Sequence, residues 1–143
     1  MNSYSFENLE IYKRTRQYRV KIYRLTHQLP EYEKYNLVLQ MRKAALSLTN
    51  NIAEGHGRYH WQENIQFVRQ SRGSLDELID DLNTCLDEKY AESTLLEELK
   101  KEGYDLLKRM NGYIKYLRER KEAPTQTNNI KSARSSEINQ LTN

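Results

Sequence analysis

The sequence has little of the three residue types that cross-link or interrupt a chain. Its 143 residues include one cysteine, two prolines and five glycines. The single cysteine, Cys85, excludes an internal disulfide and a cysteine-rich zinc site. The scarcity of proline and glycine favours long, uninterrupted helices.

Apolar residues are also scarce. They make up 37% of the chain, against about 45–50% in typical soluble domains. This composition suits helices that each bury one narrow stripe and expose a wide polar face. No run approaches the ~20 apolar residues that a membrane span needs, and no basic-then-apolar segment opens the chain. We therefore expect a cytoplasmic protein with no membrane partner.

Four stripes with alternating steps of four and three residues run along the chain. They consist of Ile11, Thr15, Tyr18, Ile22, Leu25 and Leu29; Leu37, Met41, Ala44, Leu48 and Asn51; Asn64, Val68, Ser71, Leu75, Leu78, Leu82 and Cys85; and Leu96, Leu99, Gly103, Leu106, Met110, Tyr113 and Leu117. This spacing indicates amphipathic helices, and the short links between them predict an all-α, antiparallel up-down-up-down four-helix bundle. We assign residues 1–121 to the bundle. Residues 122–143, where the periodicity stops and Thr, Gln, Asn and Ser dominate, are expected to form a disordered tail.

Small and polar residues are mixed at the end of the second predicted helix. Gly55 and Gly57 are expected to end this helix in the left-handed conformation. A further glycine, Gly73, lies inside the third stripe, where close packing would explain it. The polar motif of this segment, with Arg58 beyond it, admits two interpretations: a buried hydrogen-bond network that fixes helix register, which we favour, or a binding or catalytic group. Its members are Gln40, Asn51, Glu54 and Gly55.

Charge is segregated along the chain, although the formal net charge is only +3. In up-down-up-down order, the start of helix one, the turn after helix two, the start of helix three and the end of helix four share one end. That end collects Lys13, Arg14, Arg16, Arg58, Arg69, Arg72, Lys108, Arg109, Lys115, Arg118, Arg120 and Lys121. The opposite end collects Asp76, Glu77, Asp80, Asp81, Asp87, Glu88, Glu97, Glu98 and Glu102. We therefore predict an electrically bipolar bundle.

The basic end has two interpretations. RNA phosphates would bind its cations without sequence specificity, with Tyr59 or Trp61 stacking on bases. Alternatively, the cations are solvated or meet acidic residues of a neighbouring subunit, and the two aromatic side chains form subunit contacts.

Metal and catalytic sites are not indicated. His56 and His60 have the i, i+4 spacing of helical metal ligands, but Gly57 lies between them and only Glu54 and Glu63 are near. No nucleophile–base pair, phosphate-binding loop or carboxylate pair stands out. We predict no enzymatic activity, no metal, no cofactor and no small-molecule substrate.

Several short motifs occur in order along the chain. They are Phe6-x-x-Leu9; Tyr23-Arg24-Leu25-Thr26 followed by Pro30; Gln40-Met41-Arg42 with Ala44, Ala45, Ser47, Asn51-Ile52-Ala53-Glu54-Gly55 and Arg58; and Gly73-Ser74-Leu75-Asp76-Glu77-Leu78. With these motifs, residues 6–120 resemble the four-helix-bundle proteins encoded within intervening sequences of bacterial 23S ribosomal RNA genes. Met41 departs from the isoleucine or valine usual there, and Thr15 and Tyr18 make the first stripe more polar.

That resemblance implies a bundle assembled into a ring, commonly a homopentamer, and an association with RNA. A related bundle, the accessory variability determinant of diversity-generating retroelements, is a ring that binds reverse transcriptase and nucleic acid. No catalytic residue is carried over.

Two functions follow as expectations. The first is a non-enzymatic, self-associating bundle that binds structured RNA or a ribonucleoprotein. Its contact residues would be Lys13, Arg14, Arg16, Arg58, Tyr59, Trp61, Arg69 and Arg72. The second is a structural ring or adaptor that binds a protein partner, with the acidic flank of one subunit docked on the basic flank of the next.

Overall fold

A computed structural model describes residues 5–123 as a set of four long helices. They are α1 (Glu10–Thr26), α2 (Leu37–His56), α3 (Trp61–Asp87) and α4 (Ser93–Glu122). Single 3₁₀ turns at Phe6–Asn8 and Glu31–Glu33 precede α1 and α2. No strand occurs within the described range. The predicted all-α four-helix fold is confirmed. Of the predicted tail, 122–143, Glu122 still belongs to α4, and positions 124–143 lie outside the described residues.

Hydrogen bonds between neighbouring helices pair early residues of one helix with late residues of the next. They join Arg19 to Thr49 and Thr26 to Arg42 between α1 and α2, and Gln62 to Lys121 and Arg72 to Asn111 between α3 and α4. Because the partners run in opposite directions along each pair, these helices are antiparallel. The arrangement is consistent with the predicted up-down-up-down order.

The four predicted stripes meet in one core. Their apolar members are buried, and the polar Thr15, Asn64 and Ser71 are buried with them. Two predicted core positions differ: Asn51 and Tyr113 are only half-buried, and the isoleucine that follows each of them is buried instead. The branched apolar side chain takes the core position because its burial removes more apolar area from water and no polar group.

Gly55 does not end α2. The helix continues through it to His56, and Gly57 follows with φ of −74°, in the right-handed region. No glycine within the described residues has a positive φ, so the expected left-handed exit is wrong. The structure gives Gly55 another role, because a Cβ there would lie 2.7 Å from Asn64 Oδ1 and 2.9 Å from Phe67 Cβ. Gly55 thus lets α2 and α3 approach closely.

Gly73 and Gly103 have opposite surroundings in the helices that hold them. A Cβ at Gly73 would meet nothing within 4 Å, so the expected close packing there is wrong. A Cβ at Gly103 would lie 2.7 Å from Tyr18 Oη. That hydroxyl is fully buried and donates to the carbonyl oxygen of Leu99 at 2.9 Å. Gly103 therefore marks the close contact of α1 with α4, where burial, with Glu102 nearby, raises the pKa of Tyr18.

Candidate nucleic-acid interface

The bundle divides the predicted nucleic-acid-binding residues among three surfaces. Lys13, Arg14 and Arg16 lie on α1, and Arg58, Tyr59 and Trp61 lie at the corner where α2 turns into α3. Arg69 and Arg72 lie on α3, on the side that contacts α4 through the Arg72 hydrogen bond. These surfaces differ in how many of their cations are already paired.

On α1, the outward side chains are the unpaired ones. Lys13 and Arg16 are exposed and make no ion pair or hydrogen bond with any described residue. Arg14 is half-buried, and its Nε lies 3.3 Å from Glu10 Oε1. Arg14 is therefore partly neutralised, while Lys13 and Arg16 present full positive charge to solvent.

The corner between α2 and α3 provides fewer groups for nucleic-acid binding than the sequence suggested. Arg58 donates to Glu54 Oε1 at 3.0 Å, and its guanidinium lies 4.9 Å from the centre of the Phe67 ring. Tyr59 is 46% exposed, and its ring makes an edge-to-face contact with the ring of His60, 4.8 Å between centroids.

Trp61 is only 8% exposed and packs in the core. Its ring cannot stack on a base without leaving the core, so this burial counts against the predicted stacking. The signal was present in the sequence, because Trp61 precedes Asn64 by three residues and continues the third stripe.

A strip of cations follows the groove between α3 and α4. Arg72 Nη1 donates to Asn111 Oδ1 at 3.0 Å, which fixes these two residues opposite each other. Side chains three, four or seven positions apart share one helix face, so the strip extends along both helices from this pair. We call this set the α3/α4 strip: Arg69, Arg72, Lys108, Lys115 and Arg118.

The α3/α4 strip is not neutralised by acidic residues of the same chain. None of its five cations forms an ion pair with a described residue. Neighbouring Arg109, in contrast, is held by Asp105 at 3.1 Å. The backbone is also open here, because a Cβ at Gly73 or Gly112 would meet nothing within 4 Å. A polyanion could therefore approach this surface without displacing an acidic partner from its five cations.

The polar motif is not a single buried network within one chain. Gln40 and Glu54 are exposed, and Asn51 is half-buried. Asn51 Nδ2 donates to the carbonyl oxygen and to Oγ of Ser47, at 2.9 and 2.8 Å, one turn earlier in α2. Within one chain the motif and Arg58 therefore do not form the single buried network that we favoured: Asn51 bonds to Ser47, and Glu54 bonds to Arg58 with both side chains partly in solvent.

The motif segments nevertheless face each other across α2 and α3. Ser74 Oγ donates to Ser47 Oγ at 2.8 Å, and buried Ser71 donates to the carbonyl oxygen of Leu48 at 2.7 Å. Small hydroxyl side chains thus bridge the two helices at mid-length. Ser47 and Ser74 both belong to the short motifs on which the family resemblance rests.

In residues 5–123, no group of three or more His, Cys, Asp or Glu side chains is arranged to hold a metal ion. Within that same range, no helix has the length and apolar content that crossing a bilayer requires.

A comparison with protein-family models matches residues 7–112 to the 23S rRNA-intervening sequence protein family. The chain belongs to this family. The match spans α1, α2, α3 and the first two-thirds of α4, and so includes every helix of the bundle. A comparison with curated proteins found no match. Membership in the family assigns neither a reaction nor a binding site, so the site must be argued from the side chains.

Proposed function

We propose that this intervening-sequence protein is a non-enzymatic, self-associating bundle that binds structured RNA, free or in a ribonucleoprotein, in the cytoplasm. The family resemblance suggests a ring of five copies. The observation that supports RNA binding is the α3/α4 strip, whose five cations have no acidic partner among residues 5–123.

The geometry of the strip suits a phosphate backbone. Lys108, Lys115 and Arg118 span ten positions of one helix, which is about 15 Å at 1.5 Å per residue. Arginine and lysine bind phosphate oxygens, and the release of condensed counterions drives the association. Binding of this kind reads shape and charge rather than base sequence.

Salt dependence tests the proposal quantitatively. If four phosphates are contacted, the logarithm of the binding constant falls with the logarithm of salt with a slope of about −3 to −4. Affinity for a structured RNA should then drop about 100-fold between 50 and 200 mM salt. Fluorescence anisotropy of a labelled RNA hairpin measures both the affinity and the slope.

A matched pair of variants locates the contact. Lys108→Ala with Lys115→Ala removes two cations from the strip, and Lys34→Ala with Lys89→Ala removes two exposed cations in the connections between helices. Both double variants lower the formal net charge from +3 to +1. Loss of the strip lysines should reduce the salt slope by about 2, and loss of the control lysines should leave it unchanged.

Other outcomes would contradict this assignment. Equal losses in the two double variants would mean that only net charge matters and that no strip exists. An RNA hairpin that fails to bind at 50 mM salt would exclude RNA binding, and would favour the ring or adaptor with a protein partner.

A further inference from the structure

Two segments of the chain carry charge of a single sign. Residues 11–30 contain six basic residues and no acidic one: Lys13, Arg14, Arg16, Arg19, Lys21 and Arg24. Residues 73–88 contain six acidic residues and no basic one: Asp76, Glu77, Asp80, Asp81, Asp87 and Glu88. The first segment builds α1, and the second builds the C-terminal half of α3. Opposite charges are therefore placed on different helices of one molecule.

The acidic segment forms one wall of a groove between α2 and α3. The groove has a volume of about 520 Å³, and Glu77, Asp80 and Asp81 line its α3 side. We call these three residues the acidic wall. None of them forms an ion pair or hydrogen bond with a described residue. On the opposite wall, α2 contributes Lys43 and the small side chains of Ala44 and Ser47.

The negative charge of this wall is uncompensated. Burial, together with the charges of Glu77 and Asp80, raises the pKa of Asp81 from 3.8 to about 6. Lys43, on the opposite wall, forms no ion pair with any of the three carboxylates. The acidic wall therefore lacks an ion-pair partner in the part of the chain that the structure describes.

The complementary surface is the outward side of α1. Lys13, Arg16 and Arg24 are exposed, lie three or eight positions apart along the helix, and have no ion-pair or hydrogen-bond partner among the described residues. Val20, between them, leaves 37% of its surface in water. We call this surface the cationic face. By contrast, Lys21 at its edge is already held by Glu102 at 2.9 Å.

We propose that the cationic face of α1 docks on the acidic wall of a second copy of this chain. The proposal specifies the self-association in the proposed function and rests on it. Charge complementarity selects the occupant: each chain carries both unpaired surfaces, so one type of contact neutralises both. An RNA on α1 would neutralise only the cationic face and would leave the acidic wall without a counter-charge.

The contact is heterologous, because its two halves are different surfaces of the chain. Heterologous contacts generate a ring if successive rotations close and an open filament if they do not. The proposal therefore predicts an assembly larger than a two-fold dimer.

Charge reversal tests the docking. One variant carries Arg16→Glu and Arg24→Glu, and another carries Glu77→Lys and Asp80→Lys. These side chains are exposed and make no internal hydrogen bond, so both variants should fold, as circular dichroism can verify. In light scattering coupled to size exclusion, the native protein should be a multiple of 17.1 kDa, and each variant should be a monomer because like charges then face each other.

Two ways of combining these substitutions give a sharper test. A chain with all four substitutions should regain the mass of the assembly, since the charges are exchanged but remain complementary. An equimolar mixture of the two monomeric variants should form dimers or larger alternating species that neither forms alone, although strict alternation cannot close a ring with an odd number of subunits. Either rescue requires that these two surfaces meet.

A control separates this proposal from RNA binding. Lys108→Glu with Lys115→Glu alters the α3/α4 strip by the same charge and should keep the assembled mass while RNA affinity falls. A native protein of monomeric mass, or reversed variants that keep the native mass, would overturn the docking proposal. Neither result would affect the salt-slope test of RNA binding by a single chain.

Discussion

The replacement of Gly55 by alanine is the most direct test of how α2 and α3 are held together. The added Cβ would lie 2.7 Å from Asn64 Oδ1, 2.9 Å from Phe67 Cβ and 3.2 Å from the carbonyl oxygen of Asn64. All three distances are shorter than the contact of non-bonded heavy atoms, about 3.5–4.0 Å, and the third involves a backbone atom. The helices would have to separate locally.

The size of the effect comes from two opposing contributions. Forcing extra volume into a packed site costs about 1–3 kcal/mol, and alanine is favoured over glycine inside a helix by about 1 kcal/mol. With two contacts below 3 Å, we place the packing cost at the upper end of its range. The net loss in the free energy of unfolding should then be about 1–2 kcal/mol.

Gly73 provides the matched control. It also lies inside a helix, but a Cβ there would meet nothing within 4 Å. Gly73→Ala should therefore stabilise the bundle by about 0.5–1 kcal/mol through helix propensity alone. The two alanine variants should differ by about 2–3 kcal/mol in opposite directions from the native protein.

Urea unfolding followed by circular dichroism at 222 nm measures this difference. All chains should be compared at one concentration, because self-association stabilises the folded state by mass action. Adding Asn64→Ala to Gly55→Ala should recover part of the loss, since it removes the nearest atom. If Gly55→Ala were as stable as Gly73→Ala, the close approach of α2 and α3 at this residue would be refuted.

Two further substitutions probe single groups. Asp81→Asn should stabilise the unassembled chain by about 1 kcal/mol at pH 7, a value reduced for solvent screening of a half-exposed side chain. Because the pKa of Asp81 is raised from 3.8 to about 6, the native chain loses stability as pH rises through this window. The advantage of Asn should therefore vanish below about pH 4. An advantage that persists at pH 3.5 in urea unfolding would contradict this cause. Tyr18→Phe should cost about 1 kcal/mol by removing the buried hydrogen bond to Leu99, and it should make Gly103→Ala less harmful, because the hydroxyl is the atom that the new Cβ would meet. Additive effects of the last two substitutions would show that Tyr18 Oη is not in contact with Gly103.

The helices were predictable because their period is a local property of the sequence. A four-three spacing of apolar residues marks one face of a helix whatever packs against it, and the stripes of α1 and α3 face the core as expected. The roles of the glycines were not predictable. Gly55 and Gly73 both interrupt helical stretches, yet only the position of a neighbouring helix makes one a close contact and leaves the other open.

The candidate site was predictable as a charge distribution but not as a surface. The sequence grouped Arg58, Arg69 and Lys13 at one end of the bundle, and the structure places them on three different sides. An ion pair such as Arg58 with Glu54 cancels a cation that the sequence counts as available. The helical period that identifies the apolar stripes also places three cations of the strip on one face of α4: Lys108, Lys115 and Arg118.

The burial of Cys85 has a consequence for the chemistry of any assembly. Its side chain is fully enclosed, and burial, with Asp81 and Glu33 nearby, raises the thiol pKa to about 11. Thiol–disulfide exchange requires an accessible thiolate, and the chain has no other cysteine. Folded subunits therefore cannot cross-link covalently through sulfur. Complexes of folded chains should dissociate in non-reducing detergent as readily as in reducing detergent, and they should form equally well in oxidising and reducing surroundings.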